Sequence, residues 1–420
     1  MIALAVLAVV VSGAAFVAGP AGVVVGLALS GTAWSAGLLL FGVTGPWTDW
    51  ALLVLGGLSW GSRWRALRSP ESVSTPFQPS RVTRWLAPIC ATAASVVLAL
   101  FIEHSIRYPD GGWDASAIWN LRARWLYGAP HRLDAVFSPL LPQQHPDYPL
   151  MLPGLVAHFW SALGSRTQLV PIAVSLAFAA GGLAALGRAI ASRRGTVAAL
   201  CAMLVLLGTP DFLTLAWNQY ADLKLAMLLL VAVVLATEGR FVSAGLVAGL
   251  AAFTKNEGLP EALALLAAIL IRAGPRPGMR FLAGALAPLA LLADFKLRWA
   301  PPNDLFARTS LAEAARRAPG RLVLVGRGFL AQLVDFPRWG CALSAVAVVW
   351  VARWPRREHG HLAPLFVALA LPMFFAVYLI TPWDPGVHLE ASLDRLLFHL
   401  WPTILFASAV ALLPAEPPAR

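Results

Sequence analysis

The chain has 420 residues, of which 59% are hydrophobic and only 13% are charged, and its mean hydropathy is +0.71. Soluble globular proteins carry about 25% charged residues, so this composition excludes that class and indicates an integral membrane protein. The net charge of +11 does not indicate nucleic-acid binding, because the basic residues separate apolar segments instead of clustering on one surface. Short cytoplasmic loops of membrane proteins collect Arg and Lys, which accounts for the excess.

Apolar segments recur along the whole chain and predict an all-α, polytopic bundle of transmembrane helices. A crossing needs about 20 mostly apolar residues, and by this criterion the segments predict about 11–13 crossings. The candidate crossings are 2–18, 21–43, 47–60, 85–105, 168–188, 196–210, 221–237, 241–255, 258–272, 281–298, 339–353, 361–380 and 396–413.

The arginine-rich loops predict the orientation of the bundle. Their clusters lie on one side if the crossings alternate from residue 85 onward, and that side is expected to be cytoplasmic. The 106–167 and 381–395 segments and the turn around Asp222 are then expected to face outward. Segment 299–338 is also expected outside, although it is rich in Arg. Both a contact with anionic lipid or phosphate and a solvated basic face fit that segment.

A polar stretch from Arg107 to Leu155 predicts a long outer loop. Unpaired polar groups in hydrocarbon are costly, so the stretch must lie at the membrane surface. A four-residue period places apolar side chains on one stripe, at Trp113, Ala117, Leu121 and Trp125. This pattern predicts an amphipathic helix that lies in the interface with its aromatic side in the headgroups.

Asp114, in the first turn of that helix, is the leading candidate for a catalytic base. A carboxylate beside aromatic residues at a partly dry interface can deprotonate a hydroxyl nucleophile. An Asp at this position fits a helix cap equally well. From the residue alone, both interpretations stand.

Two turns between apolar segments carry further ionisable residues. Lys255 and Glu257 occupy a position where ionisable side chains mark function more often than not. Lys255 suits a phosphate as a point charge, and a structural Lys–Glu pair is the alternative. Asp222 opens an apolar helix, and there a favourable interaction with the helix dipole is a strong alternative explanation.

Two outer loops complete the set of candidates. His145 and Asp147 lie in a turn fixed by prolines, and because they are too few to bind a metal we interpret them as positioning groups. The last outer loop contains His388 and Arg395, and the Arg fork suits a phosphate or pyrophosphate. An interfacial anchor formed by Asp394 and Arg395 fits as well. Gly-rich phosphate loops and His-Glu-x-x-His patterns do not occur in the sequence.

In this order the segments resemble the GT-C superfamily of membrane glycosyltransferases. The relevant branch includes the protein O-mannosyltransferases, the lipid A aminoarabinose transferases and the RgtA/B/C/D-like bacterial enzymes. The family's outer loop, with an Asp at the start of an interfacial helix, is matched by Asp114. Its Pro-rich segment, often Lys-Pro-Pro-Leu, corresponds to 145–150, where the Lys is absent. Its acid-opened helix and its Thr-Lys-Gly-like turn correspond to Asp222 and 254–258.

The resemblance implies a sugar donor carried on a polyprenyl phosphate and a lipid, glycan or protein acceptor. The transfer would invert the anomeric centre on the outer face of the cytoplasmic membrane. Asp114 would be the base, and Lys255, with Arg395 or His145, would stabilise the leaving lipid phosphate. A divalent metal is left open, because members of the superfamily differ. The predicted substrate-binding residues are Lys255, Glu257, Asp222, His145, Asp147, Arg395 and His388.

The resemblance also divides the chain into three parts. Residues 1–84 would supply extra helices and a basic cytoplasmic loop, 85–300 the catalytic membrane core, and 301–420 an outer basic loop and the C-terminal helices. Two other functions stay open. A transporter or lipid flippase would place acids and broken helices near the bilayer midplane, and a surface-polysaccharide polymerase or ligase would make use of the basic 299–338 segment.

Overall fold

The computed structural model describes residues 1–67, 81–141, 144–303, 310–352 and 362–412. Within these ranges the chain is helical and contains no strand. The helices are α1 (Ile2–Phe16), α2 (Pro20–Phe41), α3 (Trp47–Leu67), α4 (Arg81–Arg107), α5 (Asn120–Gly128), α6 (Leu133–Val136), α7 (Met151–Leu163), α8 (Leu169–Leu207), α9 (Pro210–Trp217), α10 (Ala221–Thr237), α11 (Phe241–Ala252), α12 (Gly258–Ala273), α13 (Pro275–Arg298), α14 (Leu311–Gln332), α15 (Phe336–Trp339), α16 (Ala342–Ala352), α17 (Leu362–Ile380) and α18 (Pro385–Leu412).

The predicted all-α, polytopic membrane fold is confirmed. Among the described residues, six helices are long and apolar enough to cross a membrane, namely α2, α4, α8, α13, α17 and α18. The bent pair of α9 and α10 adds a seventh span if it crosses as one unit. This number is lower than the 11–13 crossings expected from the sequence. Several of the segments predicted as crossings form shorter helices, such as α1, α11 and α16.

Helix α8 begins beside the outer loop and then turns back at Gly195. This residue has φ 85° and ψ 172°, a conformation that glycine adopts at no steric cost. The break divides α8 into two helices, in agreement with the separate 168–188 and 196–210 segments of the sequence. The arginines at 188, 193 and 194 lie on the N-terminal side of this turn.

Contacts of α2 with α7 and α8 give the N-terminal helices a direction. The Arg188 side chain packs against Gly19, which precedes α2. Near the other end of α2, the Ser35 hydroxyl donates to the carbonyl of Leu150 at 3.1 Å. Helix α2 therefore runs from the arginine-rich end of the bundle towards the outer loop, and α3 returns.

The 299–338 segment forms a long helix, α14, where the sequence indicated only an outer basic loop. Helix α14 packs against α17 and α18, and Arg321 donates to the carbonyl of Thr381 at 2.6 Å. Arg316 and Arg317 pair with Glu313. These arginines reduce the apolar character of the segment, which is why an apolar-length criterion does not find the helix. Arg308 lies outside the described residues.

The predicted interfacial helix is present as a π-helical turn, Ala115–Trp119, that continues into α5. Trp113 and Trp125 on the predicted stripe are 58% and 45% exposed, as expected for side chains in the headgroup region. The opposite side of the helix is not polar and solvated. It buries Trp119 and Arg122 against the protein, so the helix is covered on that side by the Pro-rich turn that follows it.

Candidate active site

Asp114 forms an ion pair with Arg395, whose position in the sequence is 281 residues away. The Arg395 Nη1 donates to Asp114 Oδ2 at 2.5 Å, and the two side chains are 20% and 14% exposed. The guanidinium also lies over the ring of Tyr220, 5.5 Å from its centroid. The first outer loop, the start of α10 and the start of α18 therefore meet at this point.

A break between α9 and α10 holds the outer loop against the bundle. The two helices bend by 118°, and Gln219 in the break has φ 60°. Its amide oxygen accepts from Asn120 at 2.8 Å, and its amide nitrogen donates to the carbonyl of Pro109 at 3.1 Å. Gly112, two residues before Asp114, donates its backbone N–H to the carbonyl of Asn218 at 3.1 Å. These bonds fix the start of the interfacial helix.

Lys255 pairs with two acids in a buried position. Its Nζ lies 2.8 Å from Asp222 Oδ1 and 2.9 Å from Glu257 Oε1, and the side chain is 4% exposed. The ammonium also lies 6.0 Å from the centroid of the Tyr148 ring. The second oxygens of Asp222 and Glu257 are buried and have no hydrogen-bond partner in the described part of the chain.

His399 continues this set of contacts into the bundle. Its Nε2 lies 3.0 Å from Asp222 Oδ1 and its Nδ1 lies 2.9 Å from Glu261 Oε1. The side chains of His399 and Glu261 are 0% and 1% exposed. Three helices, α10, α12 and α18, thus contribute one ionisable group each to a continuous buried chain that ends at Lys255.

Arg122 shapes the turn that carries His145. Its guanidinium donates to the carbonyls of Gln144 at 2.7 Å, His145 at 2.5 Å and Tyr148 at 2.8 Å. The side chain is buried, and burial lowers the pKa of Arg122 to about 10, so the group stays charged near neutral pH. His145, held with φ 44°, stacks on the Tyr148 ring with a centroid separation of 4.8 Å.

Burial also determines the protonation states of His145 and Tyr148 in this turn. It lowers the pKa of His145, although the charges of Asp147, Glu257 and Asp114 oppose the effect. Burial raises the pKa of the Tyr148 hydroxyl. Both side chains are therefore neutral near pH 7, and His145 offers the site a hydrogen bond and no charge.

Asp147 lies next to the site, and its contacts hold the Pro-rich turn in place. Its Oδ2 accepts from Asn256 at 2.6 Å and from Asn303 at 2.8 Å, and lies 3.7 Å from the Lys296 Nζ. Asn256 belongs to the turn of Lys255, so Asp147 ties that turn to the Pro-rich segment. The geometry gives Asp147 an orienting position.

His388 lies in the first turn of the last helix, α18, close enough to Glu257, Arg395 and Lys255 to feel their charges. Its ring contacts those of Tyr378, at a centroid distance of 4.9 Å, and Trp383, at 5.3 Å. Its Nδ1 is buried without a hydrogen-bond partner in the described residues. The residues predicted from the sequence lie around one region at one end of the bundle, and Asp147 supports this region. They are Asp114, Asp222, Lys255, Glu257, His145, Arg395 and His388.

No protein-family profile and no curated protein matches the sequence. Among solved structures, the chain is similar to ArnT from Cupriavidus metallidurans, crystallised bound to undecaprenyl phosphate, with a TM-score of 0.51 and 15% sequence identity. The match covers 76% of this chain. Over the matched part, the chain shares the fold of ArnT. It spans 59% of the length of ArnT.

The site has side chains that can bind an anion and accept a proton. Lys255 and Arg395 supply cationic groups, and Asp114 and Glu257 supply carboxylates. Among the described residues, no three His, Cys, Asp or Glu side chains come together in a way that would hold a metal ion. The cations and carboxylates that are present can take part in acid–base and electrostatic chemistry.

Three residues of the site were not predicted from the sequence, namely Arg122, Glu261 and His399. In the sequence, Arg122 lies off the apolar stripe of the interfacial helix, and only the fold of 144–148 shows its partners. Glu261 and His399 lie within apolar helical segments, where an ionisable residue is costly and frequently functional. That signal was available in the sequence and would have identified them.

Proposed function

We propose that the protein is a membrane glycosyltransferase that moves a sugar from a polyprenyl phosphate to an acceptor hydroxyl. The observation that carries this proposal is the grouping of Asp114 with Arg395 and of Asp222 with Lys255 at one end of the bundle. The GT-C fold shared with ArnT, which binds undecaprenyl phosphate, supports it. The arginine-rich opposite end supports a site on the outer face of the cytoplasmic membrane.

The reaction is an inverting displacement. Asp114 accepts the proton of the acceptor hydroxyl while that oxygen attacks the anomeric carbon of the sugar. The bond between this carbon and the phosphate oxygen breaks, and polyprenyl phosphate leaves as an anion. Lys255 and Arg395 stabilise the charge that develops on the leaving phosphate. The acceptor is a lipid, a glycan or a protein, and His388 and Glu257 are proposed to contact the substrates.

Arg395 has two roles in this scheme. It pairs with Asp114 at 2.5 Å, so that it occupies one oxygen of the carboxylate. An Arg fork binds phosphate through two parallel hydrogen bonds. Donor binding draws the guanidinium towards the phosphate and releases the carboxylate of Asp114 for proton transfer.

The test is sugar transfer by the purified protein. A panel of polyprenyl-phosphate sugars is incubated with the protein, and release of free polyprenyl phosphate is measured. We expect release with at least one donor, and Asp114→Asn should abolish transfer while the protein still binds undecaprenyl phosphate. Asp110→Asn is the matched control, because Asp110 lies in the same loop and pairs with Arg124 at 2.7 Å. Full activity of Asp114→Asn contradicts the base assignment.

The same assay separates the alternative of a transporter or lipid flippase. The 118° bend between α9 and α10 is a broken helix of the kind found in transporters. A transporter would bind the lipid without cleaving it. Binding of undecaprenyl phosphate with no release from any donor therefore favours transport over transfer.

A further inference from the structure

A chain of four ionisable side chains crosses the interior of the bundle. It runs from Lys255 to Asp222 at 2.8 Å, from Asp222 to His399 at 3.0 Å, and from His399 to Glu261 at 2.9 Å. None of the four side chains is more than 4% exposed. The residues come from the turn before α12, from α10, from α18 and from α12.

Such a chain is not the most stable way to pack these helices. Buried ionic groups lose their hydration, and apolar residues of similar volume frequently stabilise a fold more. Within a membrane bundle, ionisable residues are rare and mark functional sites. The Phe374 ring packs beside His399. The arrangement therefore indicates a function that requires these charges.

The geometry excludes His399 from contact with a substrate. Both of its ring nitrogens face carboxylate oxygens, those of Asp222 and Glu261, and its side chain is 0% exposed. Its effect must pass through Asp222. The Oδ1 atom of Asp222 is shared between His399 and Lys255, so its position is fixed from two directions.

The fixed carboxylate of Asp222 in turn holds the ammonium of Lys255 in position. A lysine ammonium is a point charge on a flexible stem of four carbons, and it needs partners to hold one position. Asp222 holds the ammonium on one side, and Glu257 holds it at 2.9 Å on the other. Glu261, one helical turn after Glu257, closes the chain on the same helix.

We infer that His399, supported by Glu261, is a positioning residue that holds Asp222 and thereby aligns Lys255 to receive the lipid phosphate. This inference rests on the proposed function, because it takes polyprenyl phosphate as the ligand of Lys255. It predicts that His399 and Glu261, which no substrate touches, affect the affinity of the site for phosphate.

The experiment measures binding of undecaprenyl phosphate to the full-length protein in nanodiscs, together with its thermal stability. We expect His399→Phe to weaken binding by about tenfold, an effect typical of removing a group that orients a binding side chain. Glu261→Gln keeps a hydrogen-bonding group of the same shape and should weaken binding less. It serves as the second variant if His399→Phe does not fold.

The matched control is His158→Phe. His158 forms the same kind of buried contact, 3.0 Å from Asp49, on α7 and α3, which carry none of the four groups. We expect its thermal stability to fall as in His399→Phe, with unchanged binding. Equal binding by wild type and His399→Phe overturns the inference. Absence of binding by the wild type would instead overturn the proposed function.

A double-mutant cycle separates positioning from general packing. If His399 acts through Lys255, then His399→Phe should have no further effect on binding once Lys255→Ala is present. Its effect on thermal stability should persist in that background. Additive losses in binding contradict the inference, because they would show that His399 acts by a route that does not include Lys255.

Discussion

At the scale of single residues, the partners of each side chain decide its role. The sequence indicated Asp114, Lys255 and Arg395 as candidates, because ionisable groups in outward turns of an apolar chain are few. It could not show that Arg395 pairs with Asp114, since 281 residues separate them. Nor could it show that Asp147 faces Asn256, because that contact depends on how the Pro-rich turn folds.

Arg122 is the residue on which the shape of the His145 turn depends most. Arg122→Met leaves three partly buried carbonyls without their donor, and each such loss costs about 1–3 kcal/mol when the group is cut off from water. We expect a loss of about 3 kcal/mol or more in the free energy of unfolding, measured as a fall in melting temperature. Arg122→Lys keeps the charge with fewer directed donors and should lose less. An unchanged melting temperature in Arg122→Met would contradict this role.

The lowered pKa of His145 predicts how binding depends on pH. Burial favours the neutral imidazole in the folded protein, so its contribution to stability is present above the ordinary pKa of about 6.5 and is lost as the pH falls through it. Between about pH 6.5 and 8, His145 gives the phosphate no charge. The ratio of undecaprenyl phosphate affinities of wild type and His145→Asn should stay constant in this range. A ratio that rises steeply with falling pH would contradict it.

At the scale of elements, apolar length predicts spans and misses amphipathic helices. Helices α4, α8 and α17 follow the predicted apolar segments closely, because about 20 apolar residues have few other solutions in a membrane. Helix α14 was not found, since its arginines reduce its apolar character. Three of them, Arg316, Arg317 and Arg321, have partners in Glu313 and in carbonyls at the end of α17. Such partners are tertiary and leave no periodic signal in the sequence.

Helices α11 and α13 pack so closely that their glycines have no room for a side chain. A Cβ on Gly245 would lie 1.8 Å from the carbonyl oxygen of Phe281. Gly245→Ala should therefore force the helices apart, at a cost of about 1–3 kcal/mol. Because α11 leads into the turn of Lys255, binding of undecaprenyl phosphate should weaken as well.

Gly320→Ala in α14 is the control for this prediction. A Cβ there meets no atom within 4 Å, and Ala in a helix is favoured over Gly by about 0.5–1 kcal/mol. We expect equal or higher melting temperature and unchanged binding. If Gly245→Ala also leaves both quantities unchanged, the close packing of α11 and α13 is not needed to hold the turn.

At the scale of the whole molecule, the two ends of the bundle differ in charge and chemistry. Arginines at 188, 193, 194 and 272 gather at one end, and the candidate site occupies the other. The arginine clusters and the alternation of the predicted crossings indicated this division from residue 85 onward. The direction of α2 and α3 was not predicted from the sequence. It follows from the packing of α2 on α7 and α8, and the charges of the loops give no information about that contact.

The difference in charge between the two ends of the bundle predicts on which side of the membrane each loop lies. In a variant with Cys90, Cys201 and Cys341 replaced, Ser165→Cys should react with a membrane-impermeant thiol reagent in intact cells. Arg276→Cys should react only after the cells are opened. Both side chains are exposed, so access to the reagent depends on the side of the membrane alone. The reverse pattern would place the candidate site in the cytoplasm.

The pairing of Asp114 with Arg395 also determines the order of events in the proposed reaction. While Arg395 Nη1 holds Asp114 Oδ2 at 2.5 Å, that oxygen cannot accept the proton of an acceptor. In the proposed reaction it becomes available when the phosphate of the donor takes the guanidinium away. An acceptor that arrives first would therefore wait for the donor. The ion pair thereby gives the reaction an obligatory order, in which donor binding precedes activation of the acceptor.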